Sequence, residues 1–114
     1  MAADPIRIAL IGYGKIAVDQ HIPAIAADRD FTLAAVVSAR GEGPAGVPVF
    51  RTIADLPIAE LGISAATHCN TPRARLASAL ATIGWPLHTM LEKPPTATLS
   101  EWELLAAATL PFPT

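Results

Sequence analysis

The sequence is poor in charge, in aromatic residues and in cysteine. Of its 114 residues, 16% are charged and 5% are aromatic, and the formal net charge is −2. The eight lysine and arginine residues are scattered along the chain, which argues against a nucleic-acid-binding surface. Cys69 is the single cysteine. It excludes an internal disulfide and fits a reducing compartment such as the cytoplasm.

Segments that would direct the chain to a membrane are also missing. The first residues, MAADPIRIALIGYGK, place Asp4 before a short apolar run and lack the basic start of a signal peptide. No stretch approaches the roughly 18–20 uninterrupted apolar residues of a membrane span. Because 52% of the residues are hydrophobic, the chain can fill a core. We therefore expect residues 1–114 to form one small cytoplasmic domain that has neither a membrane partner nor a nucleic-acid partner.

Short apolar runs alternate with helix signals along the chain. The runs at 6–11, 31–38, 47–50, 62–69 and 86–91 are typical of buried strands. Helices are predicted after the first, third, fourth and fifth runs, with first turns or caps at Pro23, Thr52, Thr71-Pro72 and Thr98 with Glu101. A Gly/Pro loop, ARGEGPAG, is predicted after the second run. This alternation predicts an α/β domain with a doubly wound parallel sheet. Ligands bind such sheets beyond the carboxyl ends of the strands.

The helix that begins at Thr71-Pro72 has an apolar stripe in its sequence. Leu76, Leu80 and Ile83 fall on one helical face, and this face is expected to pack on the core. Gly84 stands where a helix often ends in a left-handed residue.

The string GYGKIA, residues 12–17, resembles a dinucleotide-binding turn. Gly12 permits a tight turn after the first strand, Gly14 lets backbone approach a pyrophosphate, and Ala17 permits close packing of the following helix. A helix amino terminus offers unpaired amides to phosphate. The alternative is a plain glycine turn after a strand.

The end of the second predicted strand bears on the choice between NAD and NADP. Ser38, Ala39 and Arg40 stand where an acidic residue would hold the ribose 2′-hydroxyl of NAD. A hydroxyl beside a guanidinium suits a 2′-phosphate, so NADP is favoured while NAD stays possible. Alternatively, Arg40 is a solvated loop residue and Glu42 is the acidic group.

Two further motifs fall at the same predicted edge of the sheet. Asn70 and Thr71 end the fourth predicted strand, where a nicotinamide ribose would lie, and Thr71 is also a candidate helix cap. His68 and Cys69 either line the site or are structural, and the structural role is predicted because nothing in the sequence orients a base against a nucleophile. His21 and His88 lack the spacing of metal ligands, so no metal site is predicted.

The string LEKPP follows the fifth predicted strand. Lys93 is either a surface lysine or a group that hydrogen-bonds a reacting hydroxyl. Pro94 is expected to hold Lys93 in extended backbone.

Together, RIALIGYGKIA, NTPR and LEKPP resemble the glucose–fructose oxidoreductase / inositol dehydrogenase / MocA family of NAD(P)-dependent dehydrogenases. The resemblance runs from residue 6 to about residue 105. The strings GKIAVDQHIPAI and MLEKPPTATLSE are most similar to its sugar 1-dehydrogenase branch, which acts on galactose and arabinose. The resemblance implies a Rossmann-type fold and hydride transfer from an aldose to NAD(P), which gives a lactone. It also implies Lys93 as the catalytic residue, Glu92 in the cofactor pocket, and a cofactor site built from Gly12, Tyr13, Gly14, Lys15, Ile16, Ala17, Ser38, Ala39, Arg40, Asn70, Thr71, Pro72 and Arg73.

Members of this family also carry a sixth Rossmann strand and a second, substrate-binding domain, through which they form homo-oligomers. Both are expected to be absent from these 114 residues, which stop after the fifth predicted helix. Asn70 also stands where many members have a small or apolar residue. The 114 residues alone are therefore expected to bind the cofactor and to turn over little sugar. The alternatives are a non-catalytic NAD(P)-binding module and an inactive chain.

Overall fold

A computed structural model describes residues 4–85 and 87–109 of the chain. The strands are β1 (Ile6–Ile11), β2 (Phe31–Val37), β3 (Val49–Phe50), β4 (Ile63–His68) and β5 (His88–Leu91). The α-helices are α1 (Ile22–Ala27), α2 (Ile58–Leu61), α3 (Pro72–Gly84) and α4 (Leu99–Ala108). A π-helical turn at Ala17–His21 runs directly into α1, and a 3-10 turn at Ile53–Asp55 precedes α2.

The five strands form one parallel sheet in the order β3-β2-β1-β4-β5. β1 lies at its centre, and Ala9 and Leu10 have no exposed surface. Ala9 and Ile11 belong to one apolar cluster, whereas Leu10 belongs to another with Ala17 and Val36. Because successive side chains of a strand point to opposite faces, these clusters cover the two faces of the sheet. The predicted doubly wound parallel sheet is confirmed.

Several predicted boundaries shift by one or two residues. β2 and β4 each end one residue earlier than predicted, and β3 is limited to Val49–Phe50. Pro86, predicted to begin the fifth strand, lies outside the described residues. The two helices predicted on either side of Pro23 form one helical segment over residues 15–27. Pro23 lies at the start of α1, directly after the π-helical turn.

The predicted caps have mixed outcomes. At α4, the Glu101 amide donates to Thr98 Oγ1 at 3.2 Å, so the predicted Thr98 cap forms. Glu101 Oε1 accepts from the amide of Ala97 at 2.9 Å, one residue before the cap residue whose amide a capping box uses. The side chains of Thr52 and Thr71 make no capping hydrogen bond, although both residues have the extended backbone of a cap position. At Thr52, a 3-10 turn followed by Pro57 leaves no room for a full helix.

The predicted apolar face of α3 is only partly buried, because Leu76 and Ile83 are half-buried and Leu80 is exposed. The buried side chains of this helix are Arg75, Ser78, Ala79 and Thr82, whereas Leu80 is 39% exposed. The face turned to the protein is polar because it meets the buried His68 ring of β4. Gly84 is the last helical residue and does not have a positive φ. Among the described residues, no helix is long and apolar enough to cross a membrane.

Candidate functional site

The carboxyl ends of the strands are joined edge to edge by backbone hydrogen bonds. The amide of Gly12 donates to Val37 O at 2.8 Å, and that of Ser38 donates to Phe50 O at 2.8 Å. On the other side of β1, the Cys69 amide donates to Ile11 O at 2.7 Å and the Glu92 amide to His68 O at 3.1 Å. The first residues after the strands therefore lie side by side, as the sequence predicted.

A cleft of about 670 Å³ lies along this edge, within the size range of small-molecule sites. Eight of the residues predicted to bind a cofactor line it: Gly12, Tyr13, Gly14, Ser38, Ala39, Arg40, Asn70 and Thr71. The sequence interpretation did not foresee other lining residues, notably Arg51, Thr52 and Ile53 after β3 and Ala74, Ala77 and Ser78 on α3. β2–β3 pairing and the rotation of α3 bring these residues to the cleft, and neither follows from a local motif. Glu42 lines the cleft as well.

The first glycine of the turn is required by the structure. Gly12 has φ +92°, and a Cβ there would lie 2.7 Å from the backbone nitrogen of Asn70. A side chain would therefore separate β1 from the end of β4. Gly14 is exposed and a Cβ there would meet nothing within 4 Å. Its backbone is open to a ligand at the start of the helical segment.

The remaining residues of the fingerprint lie behind or beside the cleft. Ala17 is fully buried against the sheet, which matches its predicted packing role. Lys15 and Ile16 do not line the cleft, and Lys15 Nζ bonds Asp19 Oδ2 at 2.6 Å on the surface. Pro72 begins α3 and Arg73 is exposed on it, and neither lines the cleft.

Glu92 and Lys93 lie beside the cleft but outside its lining. Glu92 Oε2 is 2.6 Å from His21 Nε2, and Glu92 Oε1 accepts from the Lys93 amide at 3.2 Å. These two hydrogen bonds, that from His21 first, lower the pKa of Glu92 below its ordinary value. Lys93 is exposed, and its peptide bond to Pro94 is cis. His21 therefore ties the helical segment to the loop that carries Lys93, a contact that spans 71 positions of sequence.

Arg75 fixes the same loop from the opposite side. It is 3% exposed. Its guanidinium donates to Glu92 O at 2.6 Å and also to Pro94 O and Asn70 O. The residues on both sides of Lys93 are therefore held by one side chain. Arg75 was missed because its partners are backbone carbonyls from distant loops, which no sequence motif marks.

His68 is the centre of a buried polar cluster under the cleft. Its Nδ1 is 3.0 Å from Ser78 Oγ and its Nε2 is 3.0 Å from Thr82 Oγ1, while Asn70 Nδ2 donates to Ser78 Oγ at 2.9 Å. Burial, with a smaller effect of Arg75, lowers the pKa of His68 from 6.5 to about 4, so the ring is neutral at pH 7. One ring nitrogen then donates and the other accepts.

Cys69 is buried beside this cluster. Burial first, and then the nearby Glu92 carboxylate, raise the pKa of its thiol to about 12. A thiol that stays protonated is a poor nucleophile. The prediction that His68 and Cys69 are structural is confirmed. In residues 4–85 and 87–109, no group of three or more metal-binding side chains comes together.

Known proteins resemble this chain in both sequence and fold. A family model described as an oxidoreductase family with an NAD-binding Rossmann fold, GFO/IDH/MocA, matches residues 6–109. Galactose 1-dehydrogenase from Pseudomonas fluorescens is 40% identical over 97 residues, which are 85% of this chain and 32% of that enzyme. These matches confirm the resemblance found in the sequence.

Solved structures of other proteins have a fold similar to that of this chain. D-galactose-1-dehydrogenase from Rhizobium etli has a TM-score of 0.86 and 40% identity over 95% of this chain and 35% of its own. A dehydrogenase from Chromobacterium violaceum has a TM-score of 0.80 at 22% identity over 94% of this chain and 33% of its own, and it shows the fold alone. The chain thus spans about a third of the length of the relatives it matches.

Proposed function

This chain belongs to the GFO/IDH/MocA oxidoreductase family with its NAD-binding Rossmann fold, and from that premise we propose that it is the NAD(P)-binding domain of a sugar 1-dehydrogenase. The observation that carries the proposal is the turn at residues 12–14. Gly12 closes on β4 and Gly14 leaves its backbone open at the start of a helical segment that extends from 15 to 27. Backbone amides at such a helix start attract phosphate.

The lining of the cleft fits a dinucleotide along its length. Gly12, Tyr13 and Gly14 would meet the pyrophosphate, and Ser38 to Arg40 the adenosine ribose. Asn70 and Thr71 would lie at the nicotinamide side. Asn70 Oδ1 is a buried acceptor that has no hydrogen-bond partner among the described residues. A donor from a bound nucleotide would satisfy it after a small turn of the side chain.

Lys93 is the proposed catalytic residue. When bound, NAD(P) supplies the hydride-transfer chemistry. The exposed Lys93 ammonium is free to donate a hydrogen bond to the reacting hydroxyl oxygen of a sugar and to favour its loss of a proton. His21, Glu92 and Arg75 hold the backbone on either side of this lysine. The two galactose dehydrogenase relatives suggest an aldose, such as galactose or arabinose, as the substrate.

NADP is the proposed preferred cofactor. Ser38 and Arg40 line the cleft where β2 ends, and a guanidinium pairs with a 2′-phosphate through two parallel hydrogen bonds. The reducing cytoplasm is the proposed compartment, because the buried Cys69 thiol is unpaired.

A non-catalytic NAD(P)-binding module is the second candidate. It is favoured by the position of Lys93 outside the cleft lining. Both candidates bind nucleotide, so they differ in turnover. In a relative that carries the complete chain, alanine at the position of Lys93 should lower kcat far more than cofactor affinity. Equal losses would assign the lysine to binding.

Titration calorimetry with NADP⁺ and NAD⁺ tests the cofactor proposal. Wild-type protein should bind both, with NADP⁺ at least as tight. Arg40→Ala should weaken NADP⁺ by about tenfold, as expected for one charge-assisted contact. Unchanged NADP⁺ affinity in this variant would remove Arg40 from the phosphate site.

A further inference from the structure

Arg51 lies at the same end of the cleft as Arg40, although it comes from a different strand. Val37 pairs with Phe50 in the sheet, and the Ser38 amide donates to Phe50 O at 2.8 Å. Arg51, the residue after Phe50, therefore lies next to the turn that follows β2.

The guanidinium of Arg51 is held against this turn. Its Nη1 donates to Ala39 O at 3.0 Å. A Cβ on Gly41 would lie 3.1 Å from Nη2 and 3.4 Å from Cζ, so the group packs on the Gly41 backbone. The turn itself is closed by the Gly41 amide, which donates to Ser38 O at 2.9 Å. Arg51 has thus already lost part of its rotamer freedom, which lowers the entropic cost of binding a ligand.

The guanidinium groups of Arg40 and Arg51 outnumber the one carboxylate of the cleft lining, that of Glu42. Within residues 4–85 and 87–109 the carboxylates within 4.0 Å of a basic side chain are Asp19, beside Lys15, and Glu92, beside His21, so neither Arg40 nor Arg51 has a carboxylate partner. Arg51 uses one of its five N–H donors on Ala39 O, and the others remain for a ligand. In a chain whose net charge is −2, two unpaired guanidinium groups on one cleft indicate an anionic ligand.

We propose that Arg51 is the second anchor of the 2′-phosphate of NADP and sets the preference for NADP over NAD. This assignment rests on the proposed function. Arg40, which follows β2, and Arg51, which follows β3, would both bind the phosphate. Arg51 would also stabilise the turn that contains Ser38. Glu42 lines the same cleft and would repel the phosphate. In the opposing arrangement, Glu42 accepts hydrogen bonds from the ribose hydroxyls of NAD and Arg51 only braces the turn.

The test is calorimetric titration of NADP⁺ and of NAD⁺ into the wild type and four variants: Arg51→Ala, Arg51→Lys, Glu42→Gln and Arg29→Ala. Arg29 is an exposed arginine before β2, at the opposite edge of the sheet, and is the matched control. Thermal unfolding followed by circular dichroism checks that each variant folds.

Arg51→Ala should weaken NADP⁺ by about tenfold, the value of one charge-assisted contact, and NAD⁺ by less than about twofold. The NADP⁺ affinity of Arg51→Lys should fall between those of the wild type and Arg51→Ala, because lysine keeps the positive charge but lacks the paired donors of the guanidinium. Glu42→Gln should tighten NADP⁺ and leave NAD⁺ unchanged. Raising the salt concentration should weaken NADP⁺ more in the wild type than in Arg51→Ala.

Three results would overturn the assignment. If Arg51→Ala changes the affinities for NADP⁺ and NAD⁺ by the same factor, Arg51 has no role in phosphate recognition. The same holds if it changes neither affinity, which is the result expected for the control Arg29→Ala. If Glu42→Gln weakens NAD⁺, the opposing arrangement holds. If the wild type binds neither nucleotide, the proposed function fails and Arg51 loses its ligand with it.

Discussion

Mild acid should destabilise this domain, because His68 is buried as a neutral ring. Its side chain has no exposed surface and contacts the hydroxyls of Ser78 and Thr82. Protonation would place a charge in that cluster, beside the Arg75 guanidinium. Burial and this cation lower the pKa of His68 from 6.5 in an unfolded chain to about 4 in the folded one.

The direction and size of the effect follow from proton linkage. Between pH 6.5 and 4, the unfolded chain takes up a proton on His68 and the folded chain does not, so stability falls as the pH falls. The contribution is fully present above pH 6.5. One pKa unit corresponds to about 1.4 kcal/mol, so the whole loss is about 3 kcal/mol. About 2 kcal/mol of it should appear by about pH 5, a large share of a typical domain stability of about 5–15 kcal/mol.

Urea denaturation at several pH values from about 7.5 to 5, followed by far-ultraviolet circular dichroism, measures this loss. The range avoids Glu92, whose lowered pKa makes its own contribution disappear only below its ordinary value of 4.5. His68→Gln keeps one donor and one acceptor for the hydroxyls and cannot titrate. Its free energy of unfolding should lose the His68 part of the pH dependence.

His88→Gln is the matched control, because the His88 side chain is exposed. This variant should keep the pH dependence of the wild type. If the free energy of unfolding of the wild type is constant from about pH 7.5 to 5, the pKa of His68 is not lowered in the folded chain. Equal slopes in the wild type and His68→Gln would contradict the lowered pKa as well, since the slope would then come from other groups.

Two further predictions concern the loop that carries Lys93 and the last helix. Arg75→Met should lower the free energy of unfolding by about 3 kcal/mol, because it leaves the carbonyls of Asn70, Glu92 and Pro94 without their donor. Urea denaturation measures this loss, and a loss below about 1 kcal/mol would mean that water replaces the guanidinium. Thr98→Ala should cost about 1 kcal/mol through loss of the α4 cap. Glu103→Ala, at an exposed position of α4 outside the cap, is its control, and equal costs would show that the cap contributes nothing.

Much of the fold follows from local sequence signals. The apolar runs locate the strands, and the alternation of strand and helix, interrupted by a loop between β2 and β3, leads to a parallel sheet whose carboxyl ends meet at one edge. Gly12, Gly14 and Ala17 occupy the predicted positions of the turn, because the spacing of these small residues after the first strand is a recognisable local motif. The Thr98 cap forms as predicted, because its hydrogen bond joins residues three positions apart.

The features that escaped prediction depend on partners distant in sequence. The polar face of α3 is buried because it contacts His68. Leu80, on another face of this helix, is therefore exposed to solvent although it is hydrophobic. The contact of His21 with Glu92 joins the helical segment to a loop that lies 71 positions away in sequence. Arg51 reaches the cleft only through the pairing of β2 with β3. None of these is written in a local motif.

The central claim is that the turn at residues 12–14 receives the phosphates of NAD(P), and Gly14 tests it most directly. A Cβ on Gly14 or on Gly84 would meet nothing within 4 Å, so alanine at either position should fold normally. The measurement is the calorimetric affinity for NADP⁺ of wild type, Gly14→Ala and the control Gly84→Ala. Gly84→Ala should bind NADP⁺ as tightly as the wild type does. Gly14→Ala should bind NADP⁺ about tenfold more weakly or worse, because the methyl group would displace phosphate from the backbone amides. Equal affinity in all three proteins would contradict it.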